Sequence, residues 1–178
     1  TNTTGASNTA LGQGALQLNT TASSNTAIGR VALTSNTTGE QNTAVGKGAL
    51  QANTTGQNNI SSGFESLLSN TTGSDNCAVG VQALRDNTTA VNNTGIGAFA
   101  LRVNTTGASN TAVGYKTGIA ITTGINNTYV GREAGYNTTG GNYNAIIGMA
   151  CRPDGASSNY AMGIGYNLDC GGSYTTLG

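Results

Sequence analysis

Residues 36–52 read Asn36-Thr37-Thr38-Gly39-Glu40-Gln41-Asn42-Thr43-Ala44-Val45-Gly46-Lys47-Gly48-Ala49-Leu50-Gln51-Ala52, and nearly the same 17 residues recur along most of the chain. The glycine closing Asn-x-Ala-(Val/Ile/Leu)-Gly stands at Gly12, Gly29, Gly46, Gly63, Gly80, Gly97, Gly114, Gly131 and Gly148, in steps of 17. Its asparagine stands at Asn8, Asn25, Asn42, Asn59, Asn76, Asn93, Asn110, Asn127 and Asn144. A small residue followed by leucine gives Leu16, Leu33, Leu50, Leu67, Leu84 and Leu101 at the same period. A fixed period of this kind marks a repeat architecture in which each repeat is one structural unit. After Gly148 the glycines Gly163 and Gly178 predict two steps of 15, and the consensus loosens over 149–158. The expected organisation is a regular solenoid over 1–148 and shorter, irregular coils over 149–178.

Within one repeat, Asn-Thr-Ala-Val-Gly alternates and is rich in β-formers, so it reads as a short strand. Alternation puts Thr9 and Leu11 on one face and Ala10 on the other. The aliphatic slot runs Leu11, Ile28, Val45, Val79, Ile96, Val113, Val130, Ile147 and Met162, and stacking makes it an apolar ladder. The Ala-Leu segment supplies a second ladder, as a second strand or as a helical turn. Asn-Thr-Thr-Gly reads as turn chemistry, and the closing glycine as a sharp corner. One coil departs: Asn59-Ile60-Ser61-Ser62-Gly63-Phe64 carries Ser62 in the aliphatic slot, which predicts local repacking. The fold class is therefore all-β, a parallel β-roll or β-solenoid of 17-residue coils. Ten rungs about 4.8 Å apart make a rod of roughly 50 Å. One coil cannot bury its apolar face alone, so stability comes from stacking. So little apolar volume per coil predicts self-association, with a homotrimer sharing its spare faces along a common axis.

Composition narrows the function. Charged residues are 8% of the chain, with seven Lys+Arg balancing seven Asp+Glu; an ordinary globular chain carries about a quarter. No basic run points to nucleic acid. No apolar stretch is long enough to cross a bilayer. The chain opens on Thr1 inside a repeat, so it reads as a processed or excised piece of a longer protein. A chain this rich in Gly, Asn, Thr and Ser invites a disordered reading, but apolar residues kept in strict register argue against it. With no histidine, the usual Ser-His and Cys-His pairs are missing. The carboxylates Glu40, Glu65, Asp75, Asp86, Glu133, Asp154 and Asp169 form no repeated ladder of the calcium-binding kind. No catalytic residue, metal ligand or cofactor is expected.

The array resembles two families. Asn42 to Gly46 and Asn110 to Gly114 resemble the strand repeat of trimeric autotransporter adhesin heads. The longer pattern N-T-A-V-G-x-x-A-L-x-x-N-T-T-G is similar to arrays in phage and viral tail fibres and related bacterial surface fibres. Repeats of adhesin heads are shorter than 17. The resemblance covers nearly the whole chain and weakens after Gly148. It implies a trimeric β-roll serving as shaft or head of an adhesive fibre outside the cell, on the cell surface or on a virion. A self-assembling, glycosylated extracellular filament is the alternative, and an ice-binding solenoid a third, from the rows of paired threonines such as Thr37/Thr38.

Four sets of residues are candidates for contact or modification. The tyrosines Tyr115, Tyr129, Tyr136, Tyr143, Tyr160, Tyr166 and Tyr174 all lie late in the chain. Tyrosine suits contact surfaces, so the last six are candidates for binding a cell-surface glycan or receptor; filling a widened coil or a subunit interface is the competing role. Asn-Thr-Thr is also a glycosylation sequon, at Asn2, Asn19, Asn36, Asn53, Asn70, Asn87, Asn104 and Asn137; Asn59, Asn92 and Asn126 fit the same pattern. Cys151 and Cys170 are 19 residues apart, close to one coil, and are candidates for a disulfide in an extracellular setting. Cys77 reads as a small buried residue sharing a face with Val79.

Overall fold

A computed structural model describes residues 2–170 and the backbone of 175–177. Among these residues there is no helix. The strands are β1 (Thr9–Leu11), β2 (Thr26–Ile28), β3 (Thr43–Val45), β4 (Ile60–Ser62), β5 (Cys77–Val79), β6 (Thr94–Ile96), β7 (Thr111–Val113), β8 (Thr128–Val130), β9 (Ala145–Ile147), β10 (Arg152–Pro153), β11 (Met162–Ile164), β12 (Asp169–Cys170) and β13 (Thr175–Leu177). All but β10 and β12 form one 11-stranded sheet in chain order. Every pairing is parallel, and from β1 to β9 the register is one repeat per rung, as in Thr26↔Thr43, Ala27↔Ala44 and Ile28↔Val45. The chain is a parallel β-solenoid.

The 17-residue step persists past Gly148. β9 pairs with β11 as Ala145↔Met162 and Ile147↔Ile164. A Cβ on Gly148 would collide with the carbonyl of Gly165, so Gly165, not Gly163, is the next corner. The step then falls to 13, with Met162↔Thr175. The two 15-residue steps expected from glycine spacing are thus one of 17 and one of 13. The aliphatic slot continues at Ile164, and Met162 takes the threonine slot instead.

Each coil is wound tightly by repeated left-handed backbone. At Gly46, φ is +135°, and an added Cβ would strike the carbonyl of Gly63 in the next coil. Leucine occupies a second such corner: Leu33, Leu50, Leu67, Leu84 and Leu101 have φ between 48° and 50°. Left-handed backbone costs about 1–2 kcal/mol for such a residue. Each of these leucines is fully buried, which offsets about 1.5–3 kcal/mol, so burial holds the strain. In the regular coils the Ala-Leu segment is therefore a left-handed turn, neither strand nor helix. Only near the C-terminus does the same segment extend, as β10 pairs with β12.

The core is thin and built from small side chains. Ala27, Ala44, Ala78 and Ala112 face inward from the strands, and Ala32, Ala49, Ala83 and Ala100 face them beside the leucines. The aliphatic ladder forms on the opposite side, outside the coil. Where leucine fills the facing corner the inward strand position has room for alanine, and the larger Tyr129 and Ile146 take it only where that leucine is absent. The remaining interior is polar. Asn53 Nδ2 donates to Asn36 Oδ1 at 2.8 Å and to Gly56 O at 2.9 Å. Asn42 Nδ2 reaches the same Gly56 O at 2.9 Å, while the Asn42 backbone N–H donates to Asn25 Oδ1 at 2.9 Å. Two rails of buried asparagine thus run up the solenoid and satisfy each other and the turn carbonyls.

Two interior substitutions are compensated. Ser61 and Ser66 replace two facing alanines, and their Oγ atoms lie 2.5 Å apart. Tyr129 replaces the strand alanine two coils later than Gly95 and is fully buried. Glycine takes the leucine position in its coil and the one below, at Gly135 and Gly118. A Cβ at Gly135 would lie 2.7 Å from the Tyr129 ring. The ring fills the volume that leucine occupies elsewhere. Here the first asparagine rail stops: Ile121 and Thr138 stand in its line, and Asn104 Oδ1 is left without a hydrogen bond.

Candidate functional site

The solenoid presents walls of different chemistry. All seven cations, Arg30, Lys47, Arg85, Arg102, Lys116, Arg132 and Arg152, fall between a corner glycine and the following Asn-Thr-Thr position. Five acids, Glu65, Asp86, Glu133, Asp154 and Asp169, fall on the same stretch. The outer face of the long sheet carries no charge among the described residues. Its threonine column runs Thr26, Thr43, Thr94, Thr111 and Thr128. Beside it stands the aliphatic column, where Ile28, Val45, Val79, Ile96, Ile147 and Ile164 are 36–45% exposed.

The tyrosines do not form one cluster. Tyr129 is core, and burial pushes its hydroxyl up to about 12; Thr138 and Asn144 offset part of that rise. Neither meets the hydroxyl in good hydrogen-bonding geometry. Its expected place in a binding surface is therefore corrected to packing. Tyr143 and Tyr160 are exposed and stack across one rung, centroids 5.2 Å apart and planes 3° apart. Tyr166 is exposed. Tyr136 lines a groove with Lys116, Ile119 and Glu133, and the Arg152 guanidinium lies 5.4 Å from its ring centroid. Arg152 is held in turn by Asp169, Nε to Oδ1 at 2.6 Å. Tyr174 lies outside the described residues.

The sequons are mostly interior. Asn19, Asn36, Asn53, Asn70, Asn87 and Asn104 are buried. The nitrogen that would carry a sugar donates inside the coil, as from Asn70 to Asn53 Oδ1 and Gly73 O. The folded coil therefore leaves these six no room for a glycan. Asn2 is exposed, and Asn137 is half-buried and donates to Pro153 O at 3.2 Å. Asn59 belongs to the second rail, whereas Asn92 and Asn126 are exposed at left-handed turns. The sequence signal that could have marked the rails is the invariant phase of asparagine against alanine and leucine.

Cys151 and Cys170 are buried and not joined by a disulfide. The register explains this: it sets Pro153, not Cys151, beside Cys170. Cys151 Sγ instead donates to Gly165 O at 2.8 Å. Cys77 is half-buried on the outer sheet face rather than in the core. Desolvation raises its thiol pKa, the opposite of an activated thiolate. Among the described residues, no group of three or more His, Cys, Asp or Glu is placed to hold a metal, and no helix is long and apolar enough to cross a membrane.

The paired threonines divide their work. Thr54 Oγ1 donates to Thr71 O at 3.0 Å, and the same bond repeats from Thr71 and Thr88. The second of each pair, as Thr38, Thr55, Thr72, Thr89, Thr106 and Thr123, is exposed. Compared with known proteins, the chain matches no family model, no curated protein and no solved structure.

Proposed function

We propose that the chain is a stiff segment of an adhesive or structural fibre, outside the cell or on a virion, assembled as a homotrimer through the outer face of its long sheet. The observation that carries this reading is the unbroken lack of charge on that face beside a half-exposed aliphatic column. A sustained apolar patch rimmed by polar residues is the usual mark of an interaction surface. Charge gathered on another wall leaves that wall to solvent. The repeat's resemblance to fibre arrays supports the same reading. Closed symmetry gives a discrete trimer, whereas a contact that does not close gives an open filament.

Light scattering coupled to size exclusion tests it. The expected result is a single trimeric species that Val79→Lys with Ile96→Lys converts to monomer without loss of β-structure. A wild-type monomer at high concentration overturns assembly through this face, and open-ended polymer favours the filament.

A second reading rests on the threonine column standing beside the aliphatic one. A flat, regular array of hydroxyls and methyls is suited to ordering water, and so to binding ice. A thermal-hysteresis measurement decides: an active monomer favours this reading, and an inactive one disposes of it.

A further inference from the structure

The charged wall carries a groove beside Tyr136. It measures about 350 Å³ and is lined by Lys116, Ile119, Glu133 and Tyr136. That volume sits at the small end of the range for sites that hold small molecules. Tyr136 is 38% exposed, so its ring is open to a ligand. It is also pre-ordered, because Arg152 lies over the ring at 5.4 Å and Asp169 fixes Arg152. Ordering the ring beforehand removes part of the entropic cost of binding. Glu133 contributes an acceptor and is steadied by Arg132 at 3.4 Å. Lys116 stands one 17-residue step earlier in the same column as Glu133 and contributes a donor, while Ile119 and Tyr136 form the neighbouring column. Their charges cancel, which disfavours a strongly anionic or cationic ligand. An aromatic ring beside a hydrogen-bond acceptor and donor suits a flat, neutral molecule with one apolar face and many hydroxyls.

We propose that the groove formed by Lys116, Ile119, Glu133 and Tyr136 binds a neutral pyranose sugar, its apolar face on the Tyr136 ring and its hydroxyls bonded to Glu133 and Lys116. The proposal rests on reading the chain as a segment that presents a surface, but it is tested by a different observable from assembly. Each chain carries its own groove.

The experiment is saturation-transfer NMR on the full chain, with glucose, galactose, mannose and N-acetylglucosamine as neutral probes and sialic acid as the anionic one. At least one neutral sugar is expected to show transfer. Tyr136→Ala should weaken it by about tenfold, Glu133→Gln by several-fold, and Tyr136→Phe should retain it, since stacking and one charged hydrogen bond each contribute on that scale. Sizing of the same variants runs in parallel, with circular dichroism to establish that each is folded. The proposal is overturned by no transfer from any neutral sugar, by transfer that survives Tyr136→Ala, or by preference for sialic acid. It is also overturned if Tyr136→Ala abolishes assembly together with binding, because the groove is then a subunit contact. Loss of sugar binding with the trimer intact supports the site, and a sugar-binding monomer overturns the fibre assembly alone.

Discussion

Asn70 donates to Asn53 Oδ1 at 2.8 Å and Gly73 O at 2.9 Å, and accepts from Asn87 Nδ2 at 2.8 Å. Removing it leaves Asn53 Oδ1 without a donor and Asn87 Nδ2 without one of its two acceptors, on the rungs to either side, while Gly73 O keeps Asn59 Nδ2. Each unsatisfied buried group costs about 1–3 kcal/mol, so Asn70→Ala is expected to lower stability by about 2–4 kcal/mol in urea denaturation. An unchanged midpoint would sink the rail as a source of stability. Tyr129 gives the converse case. Its ring packs well but its hydroxyl is unpaired, so Tyr129→Phe should be neutral or slightly stabilising, whereas Tyr129→Ala should cost about 3–5 kcal/mol. Its raised pKa adds a pH dependence. The unfolded chain releases this proton near pH 10, and the folded chain holds it to about 12. The stabilisation is therefore complete below about pH 10 and is lost as pH rises toward 12, by on the order of 2 kcal/mol. In alkaline denaturation, the stability of wild type relative to Tyr129→Phe should fall from about pH 10, reach its full loss near pH 12 and stay there.

At the scale of one coil, compensation can be tested directly. Ser61 and Ser66 bond each other where other coils pair two alanines. Changing one alone leaves its partner worse satisfied, while changing both restores the common arrangement. A double-mutant cycle with alanine should show the pair to be more stable than the single changes predict, by about 0.5–1 kcal/mol. The coil also shows what could be read in advance. Period, parallel pairing and the stacked ladders follow from residues such as Gly46 and Ala49 recurring at a fixed phase. The direction of the strand does not. Three residues alternate either way, and hydropathy favours Val45 inside over Ala44. The narrow coil reverses that choice, because volume outweighs hydrophobicity when strands face turns across so small a gap. Asn36 and Asn53 are as hard to read, since asparagine signals a turn and the rail exists only after stacking. Leu50 gives no sign of its left-handed backbone. Of the candidate site, the tyrosines were visible as residues, but the pairing of Tyr136 with Glu133 and Lys116 depends on which positions share a wall. Glycine spacing misplaces the step after Gly148 because Asn159-Tyr160-Ala161-Met162-Gly163 imitates the strand motif two residues before the corner at Gly165.

The whole molecule is a one-dimensional stack in which each coil meets only its neighbours, so stability is the sum of coil and interface contributions. Deleting residues 70–86, one full period, should leave a folded rod, with a circular dichroism spectrum of the same shape and a smaller denaturant m-value. Deleting 15 residues from the same place shifts every rail and ladder out of line and should abolish cooperative unfolding. If the 15-residue deletion folded equally well, register would not be what holds the stack.

The same connectivity fixes how the rod answers a pull on its two ends. Backbone and asparagine bonds between rungs lie along the axis, yet the chain leaves each rung only at one corner. Every rung carries the tension, but the terminal rung is held by a neighbour on one side only and so peels first, the rest staying wound. One rung pays out 17 residues, about 50–60 Å of extended chain. Single-molecule stretching should show evenly spaced releases of that length at similar force. A tether made this way lengthens many times over under strain before it parts, and can rewind one rung at a time when the load is taken off.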